Sequence, residues 1–179
     1  MAKLEQTITD FYRVAQERDF ARDFQFRVLS INPGGSSAVT FSEDDLVYVK
    51  GGQIPTRTIV SHDVPYMGLQ FRLPGAAQYS GDFQANFYCD VNSRIRQLME
   101  EWSFQTFDDS TSQGDYFMPR ESSYVELVQL DSQFETTAIY KLIGCFPTTV
   151  GDIQYDIGGT GNAVEFQVNL SYHFWRRTG

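Results

Sequence analysis

Val164-Glu165-Phe166-Gln167-Val168-Asn169-Leu170-Ser171-Tyr172-His173-Phe174-Trp175 is the most regular stretch of this chain. The apolar side chains of Val164, Phe166, Val168, Leu170, Tyr172 and Phe174 alternate with polar ones from Glu165 to His173. A period of two with one apolar face belongs to a β-strand lying over a core. The pattern predicts a single long strand at 164–175.

Working upstream, two more runs carry β-type residues. Residues 124–130 and 136–143 flank a polar break at 131–135, which predicts a hairpin. Residues 82–89 place Phe83, Ala85, Phe87 and Cys89 on one face, and Phe24, Phe26 and Val28 do the same nearer the start. Shorter strands are predicted at 46–50, 56–61 and 67–73, divided by Gly51-Gly52, Val64-Pro65 and Pro74-Gly75. Helical spacing occurs twice. Ile95, Leu98, Met99 and Trp102 form one stripe of a helix over 92–104, with Asn92 or Ser93 as its cap. Phe11, Val14 and Ala15 mark a short N-terminal helix, capped within Thr7-Ile8-Thr9-Asp10, that needs an outside surface to pack on. Residues 107–122 form a long polar loop, mobile alone or ordered by a neighbour. The fold class that follows is mainly β or α+β, an antiparallel β-sandwich or barrel with one mid-chain helix and a short N-terminal one. A single domain, 1–179, fits the length.

Composition narrows the function classes. The chain carries 23 acidic and 14 basic residues, a net charge of −9, and 15% aromatic residues. Proteins that grip nucleic acid cluster Lys and Arg, and here the clustering stops at Arg176-Arg177. No apolar stretch approaches the roughly 20 residues of a membrane helix, and the first residues lack a secretory leader's apolar core, so assembly inside a cell is expected.

Catalytic or metal chemistry finds little support. His62-Asp63 is the sole His–acid neighbour pair, and adjacent strand residues point to opposite faces, which suits a turn or interface better than a relay. His173 falls on the polar face of the last strand, towards solvent or a neighbouring subunit. Cys89 reads as a core thiol, and Cys145 has no sequence neighbour to lower its pKa. Glu43-Asp44-Asp45 lacks calcium-loop spacing and reads as a solvated turn, as does Asp108-Asp109. Gly34-Gly35-Ser36-Ser37 and Gly158-Gly159-Thr160-Gly161 lack both a phosphate-loop lysine and a strand–glycine–helix order. No enzyme and no cofactor is expected.

Gly144-Cys145-Phe146-Pro147-Thr148-Thr149-Val150-Gly151-Asp152-Ile153-Gln154-Tyr155-Asp156, followed by the alternating strand ending in Phe174-Trp175, resembles the tail tube proteins of contractile-tailed, T4-like bacteriophages. The similarity is densest over 138–175 and extends more loosely to 20–28 and to the helix ending at Trp102. The resemblance implies a structural virion protein that forms hexameric rings, stacked into a tube whose strands join one intersubunit barrel. Its implied partners are further copies of itself, the tail sheath protein, baseplate and tail terminator proteins, and double-stranded DNA passing through the lumen without specific binding. The implied location is the virion tail, assembled in the host cytoplasm, with no membrane insertion. A tube-end homologue (initiator, baseplate hub ring or terminator) is the alternative, and a monomeric ligand-binding β-sandwich with exposed aromatics stands further off.

Site residues follow from that resemblance. Asp82, Gln84, Asn86 and Glu135 are candidates for the lumen face, where acidic charge would repel DNA. Phe146, Pro147 and Thr148 are candidates for a rigid turn or a contact with the adjacent ring. Arg176 and Arg177 are candidates for contact with the sheath, or else a frayed, solvated tail.

Overall fold

A computed structural model describes residues 8–35 and 38–178. Thr7, Ser36, Ser37 and Gly179 lie outside the described residues. In chain order the elements are α1 (Ile8–Glu17), β1 (Phe26–Asn32), α2 (Glu43–Leu46), β2 (Val49–Gly52), β3 (Arg57–Tyr66), β4 (Leu69–Tyr79), β5 (Asp82–Tyr88) and α3 (Arg94–Thr106). They continue with β6 (Phe107–Asp108), β7 (Gln113–Gly114), β8 (Tyr124–Leu130), β9 (Thr136–Ile143), β10 (Phe146–Val150), β11 (Glu165–Ser171) and β12 (Phe174–Thr178).

Two antiparallel four-stranded sheets, β1-β8-β9-β12 and β10-β11-β5-β2, share one core. Val28, Val125, Leu127 and Leu142 come from the first, and Phe83, Ala85, Phe87, Phe166, Val168 and Leu170 from the second. α3 closes the core with Ile95, Met99 and Trp102. The chain is mainly β, as the alternating pattern predicts. The β8–β9 hairpin keeps the predicted bounds, and Asp131 Oδ1 organises its turn by accepting from the N–H groups of Gln133 and Glu135, both at 2.8 Å.

Several expectations are corrected. The run at 164–175 is two strands in different sheets: β11 pairs with β5 and β12 with β9. The chain crosses at Tyr172-His173, where the Tyr172 N–H donates to the Gly81 carbonyl at 2.9 Å and the His173 N–H to the Ile143 carbonyl at 2.9 Å. The alternation holds up to the crossing, with Leu170 and Tyr172 both in the core, and then changes side, so that Trp175 and not Phe174 packs against the core. Periodicity reports which side is buried, not which strand is the partner.

Val64-Pro65 and Pro74-Gly75 do not divide strands; they lie inside β3 and β4, which form one long hairpin. Its tip is Met67-Gly68, with φ of 48° and 79°, the two-residue turn with both φ values positive that suits a twisted hairpin. A two-stranded ribbon has two outer edges, so a proline's missing N–H need not break a ladder.

Phe24, predicted inward, is 64% exposed, and Gln25 is buried instead. A turn precedes β1: the Gln25 N–H donates to the Arg22 carbonyl at 3.1 Å, and the Gln25 side chain accepts from the Arg22 N–H at 2.6 Å. Residues 46–50 are only partly strand, because Ser42 caps the short helix α2 with a reciprocal Ser42–Asp45 capping box. α3 starts two residues late; Ser93 at its cap is left-handed and its side chain makes no cap hydrogen bond, while Asp90 accepts from the Arg94 N–H at 2.8 Å.

Phe146-Pro147-Thr148 is the start of β10 rather than a turn; the turn is Gly144, φ 73°, one residue earlier. Arg176 and Arg177 are not a frayed tail, since they pair in register with Lys141 and Tyr140. The loop at 107–122 contains the small β6–β7 hairpin.

Candidate functional site

Among the described residues no group of three or more His, Cys, Asp or Glu side chains is placed to hold a metal. Burial pushes the Cys145 thiol up to about 12, so it is a neutral, enclosed thiol at physiological pH. Cys89 is half-buried, with Sγ 3.2 Å from Ser93 Oγ. His62 and Asp63 lie on the exposed hairpin: the His62 ring packs against Gly75, and Asp63 sits 3.5 Å from Arg72. His173 Nε2 lies 3.3 Å from the Pro119 carbonyl, tying the sheet crossing to the loop before β8. A depression of about 950 Å³ is lined by residues 151–167 and Asn86, with Tyr155 as its one strongly exposed ring.

What the fold does present is unpartnered surface. Among the described residues, each four-stranded sheet ends in strands whose outer backbone groups meet no further strand: β1 and β12 in one, β10 and β2 in the other. Open edges are templates for pairing with another chain.

The β3–β4 hairpin is the second such surface. The cross-strand pairs His62↔Leu73, Val64↔Phe71 and Tyr66↔Leu69 fall two residues apart, on one face. Asp63↔Arg72 and Pro65↔Gln70 occupy the opposite face. The ribbon is therefore amphipathic, yet Val64, Tyr66, Leu69, Phe71 and Leu73 are all exposed, and Met67 at its tip is 86% exposed. A buried side chain of this kind contributes about 1.5–3 kcal/mol, so covering even half of this face yields roughly 5 kcal/mol per hairpin. The spacing of Val64, Tyr66, Leu69, Phe71 and Leu73 around Met67-Gly68 carries this signal in the sequence, and the two prolines mask it.

α1 and the loop before β8 add two smaller surfaces. α1 buries no residue and exposes Ile8, Phe11 and Tyr12, with the Phe11 ring 6.0 Å from Phe20. Tyr116, Phe117 and Met118 stand out of the loop, Phe117 at 88% exposure.

The residues singled out from sequence divide among these surfaces. Asp82, Gln84 and Asn86 share the outward face of β5, opposite Ser171, Asn169 and Gln167 of β11. The face is rich in amides; its charged rim includes Lys50–Glu165, an ion pair at 2.5 Å whose hydrogen bond raises the Lys50 pKa. Gln167 and Asn169 belong to this face as much as the β5 residues do, since register places them there. Glu135 does not join them; it sits in the β8–β9 turn of the other sheet. Phe146, Pro147 and Thr148 lie on edge strand β10, Pro147 buried and the Thr148 hydroxyl donating to the Asn169 carbonyl at 3.0 Å. Arg176 and Arg177 lie on edge strand β12.

The family model for phage tail tube proteins matches residues 15–178. The chain belongs to the phage tail tube protein family. Members of this family are structural tail proteins, not enzymes. No curated protein matches the sequence. The fold is similar to a chain in the sheath/tube terminator of the extracellular contractile injection system PVC, with a TM-score of 0.63 at 10% identity over 90% of this chain and 99% of that one. A chain of the PVC sheath–tube complex gives 0.58 at 11% identity, covering 93% and 96%. The tube terminating cap of the anti-feeding prophage gives 0.57 at 14% identity, covering 90% and 92%. This tail tube protein is thus a structural component of a tail, and no helix among its described residues is long and apolar enough to cross a membrane.

Proposed function

We propose that this protein polymerises as stacked hexameric rings into the inner tube of a contractile phage tail, through which DNA leaves for the host. The observation that carries the reading is the amphipathic β3–β4 ribbon, whose apolar face stays exposed among the described residues. The free edges of both sheets supply the complementary need, because a closed ring leaves no edge exposed. Sheath, baseplate and terminator proteins are the further partners in this reading, and assembly takes place in the host cytoplasm.

Within such a ring, Asp82, Gln84 and Asn86, with Gln167 and Asn169, form the wall facing the lumen. That wall is amide-rich rather than densely acidic, so DNA slides past groups that hold it weakly instead of being strongly repelled. Glu135 has no place on it. Phe146-Pro147-Thr148 then meets the adjacent ring, and Arg176-Arg177 meets the sheath.

Negative-stain electron microscopy of the purified protein at high concentration tests the reading. Tubes of stacked rings are expected; a protein that remains monomeric overturns it. A second reading, a ring that ends the tube, is supported by the similar folds of chains from a terminator complex and a tube terminating cap. Single or double rings that never elongate would select it.

A further inference from the structure

The β3–β4 ribbon pairs with neither four-stranded sheet, so its direction is set where it joins the body. Trp175 stands at that joint and touches both legs. Its indole Nε1–H donates to the carbonyl of Thr56, the residue before β3, at 3.4 Å. Its ring meets Tyr79, the last residue of β4, at 6.2 Å and 81°, edge to face. Behind it, Tyr140 of β9 packs at 5.5 Å and 68°, and Phe174 also reaches Tyr79, at 6.4 Å. Tyr79, Tyr140 and Trp175 all pack against the core. The 3.4 Å bond is long for N–H···O, so the ring contacts bear most of the constraint.

Length makes this joint matter. Ten residues of β3, at ~3.3 Å each, make a lever of about 30 Å. A swing of ~10° at the root carries the tip about 5 Å, roughly one inter-strand spacing. Such an error would put the apolar face one strand out of place.

We propose that Trp175 is a positioning residue: with Tyr79 and Tyr140 it holds both legs of the ribbon at a fixed pitch to the body. The consequence for assembly, that a fixed pitch brings the apolar face into register on the neighbouring copy, rests on the tube reading above; the fixed pitch itself does not. The Ser80 hydroxyl, 2.7 Å from that of Tyr172, pins the end of β4 to the sheet crossing, which leaves the aromatic joint to set the tilt.

Nitroxide labels on Leu69→Cys near the tip and Glu101→Cys on α3, in a Cys89→Ser background, report the pitch as a distance distribution in the dilute full-length chain. The parent should give one narrow peak. Trp175→Leu should broaden it or move it by 5 Å or more, Tyr79→Leu should do the same from the ribbon side, and Trp175→Phe, which keeps a ring, should restore the narrow peak. A merely structural tryptophan would lower the melting temperature of the body and leave the peak where it was. A parent-like peak in Trp175→Leu and Tyr79→Leu, both folded, overturns the proposal; a Trp175→Phe peak as broad as Trp175→Leu does so too. Tube growth is scored separately, and a parent that never polymerises overturns the tube reading alone.

Discussion

At the scale of single residues, Asp45 shows how a short acidic run becomes structure. Glu43 and Asp44 face water, but Asp45 is 5% exposed and accepts from the Ser42 hydroxyl at 2.7 Å, the Ser42 N–H at 2.9 Å and Arg94 Nε at 2.8 Å. Burial pushes its pKa upward, and the hydrogen bonds from Ser42 and Arg94 outweigh it, so the carboxyl lies below its ordinary 3.8. A depressed folded-state pKa means stability that is present above the unfolded value and lost as pH falls through the folded one. Below about pH 4, acid titration of the parent should therefore lose stability that Asp45→Asn does not have to lose. At pH 7, Asp45→Asn should cost about 1–2 kcal/mol in urea unfolding, and Ser42→Ala about 1 kcal/mol. Gly144 is a second residue with a single solution: its φ is 73°, and a Cβ there would lie 2.0 Å from His173 Cδ2. Gly144→Ala should lower the unfolding free energy by at least the ~1 kcal/mol of a strained backbone, since the His173 ring must also move.

Elements divide into those built for the core and those built for something outside it. α3 belongs to the first kind, and Met99, fully buried, is its centre; Met99→Ala should cost about 2–5 kcal/mol in the same unfolding assay. β3–β4 belongs to the second. Replacing residues 62–73 by two glycines should leave the body's melting temperature within a few degrees, because the ribbon pairs with no other strand of the body, while abolishing tubes seen by electron microscopy. The two kinds were not equally legible. The stripe Ile95, Met99, Trp102 and the face Phe83, Ala85, Phe87 are periodic and buried, so pattern and burial agree. The ribbon is periodic too, yet Pro65 and Pro74 carry the ordinary marks of strand ends, and only pairing along two free edges makes them tolerable. Phe24 fails for another reason: it lies in the turn at Arg22–Gln25, before β1 begins, so the alternation that buries Val28 does not reach it.

For the whole molecule, a charge of −9 on each copy opposes association, and the apolar ribbon and open edges favour it. The Debye length shrinks from about 30 Å at 0.01 M salt to about 8 Å at 0.15 M, so salt screens the repulsion without weakening apolar contacts. Light scattering should show faster assembly as sodium chloride rises over this range. Assembly that slows instead would mean ion pairs, such as contacts of Arg176 and Arg177, dominate the interface.

By itself the sequence determined the class of the fold, the two faces of nearly every core strand, the β8–β9 hairpin to its end residues, and the tail tube family. These follow from local periodicity and turn chemistry, which act over a few residues. Which strands pair was decided only in three dimensions: nothing in 164–175 announces that the chain changes sheets at Tyr172-His173, because the apolar alternation runs unbroken through Phe174 although Trp175 is the ring that packs against the core in β12. The same holds for the outward wall of Asp82, Gln84, Asn86, Gln167 and Asn169 and for the joint at Trp175. Each gathers residues far apart in the chain, and only register and packing bring them together.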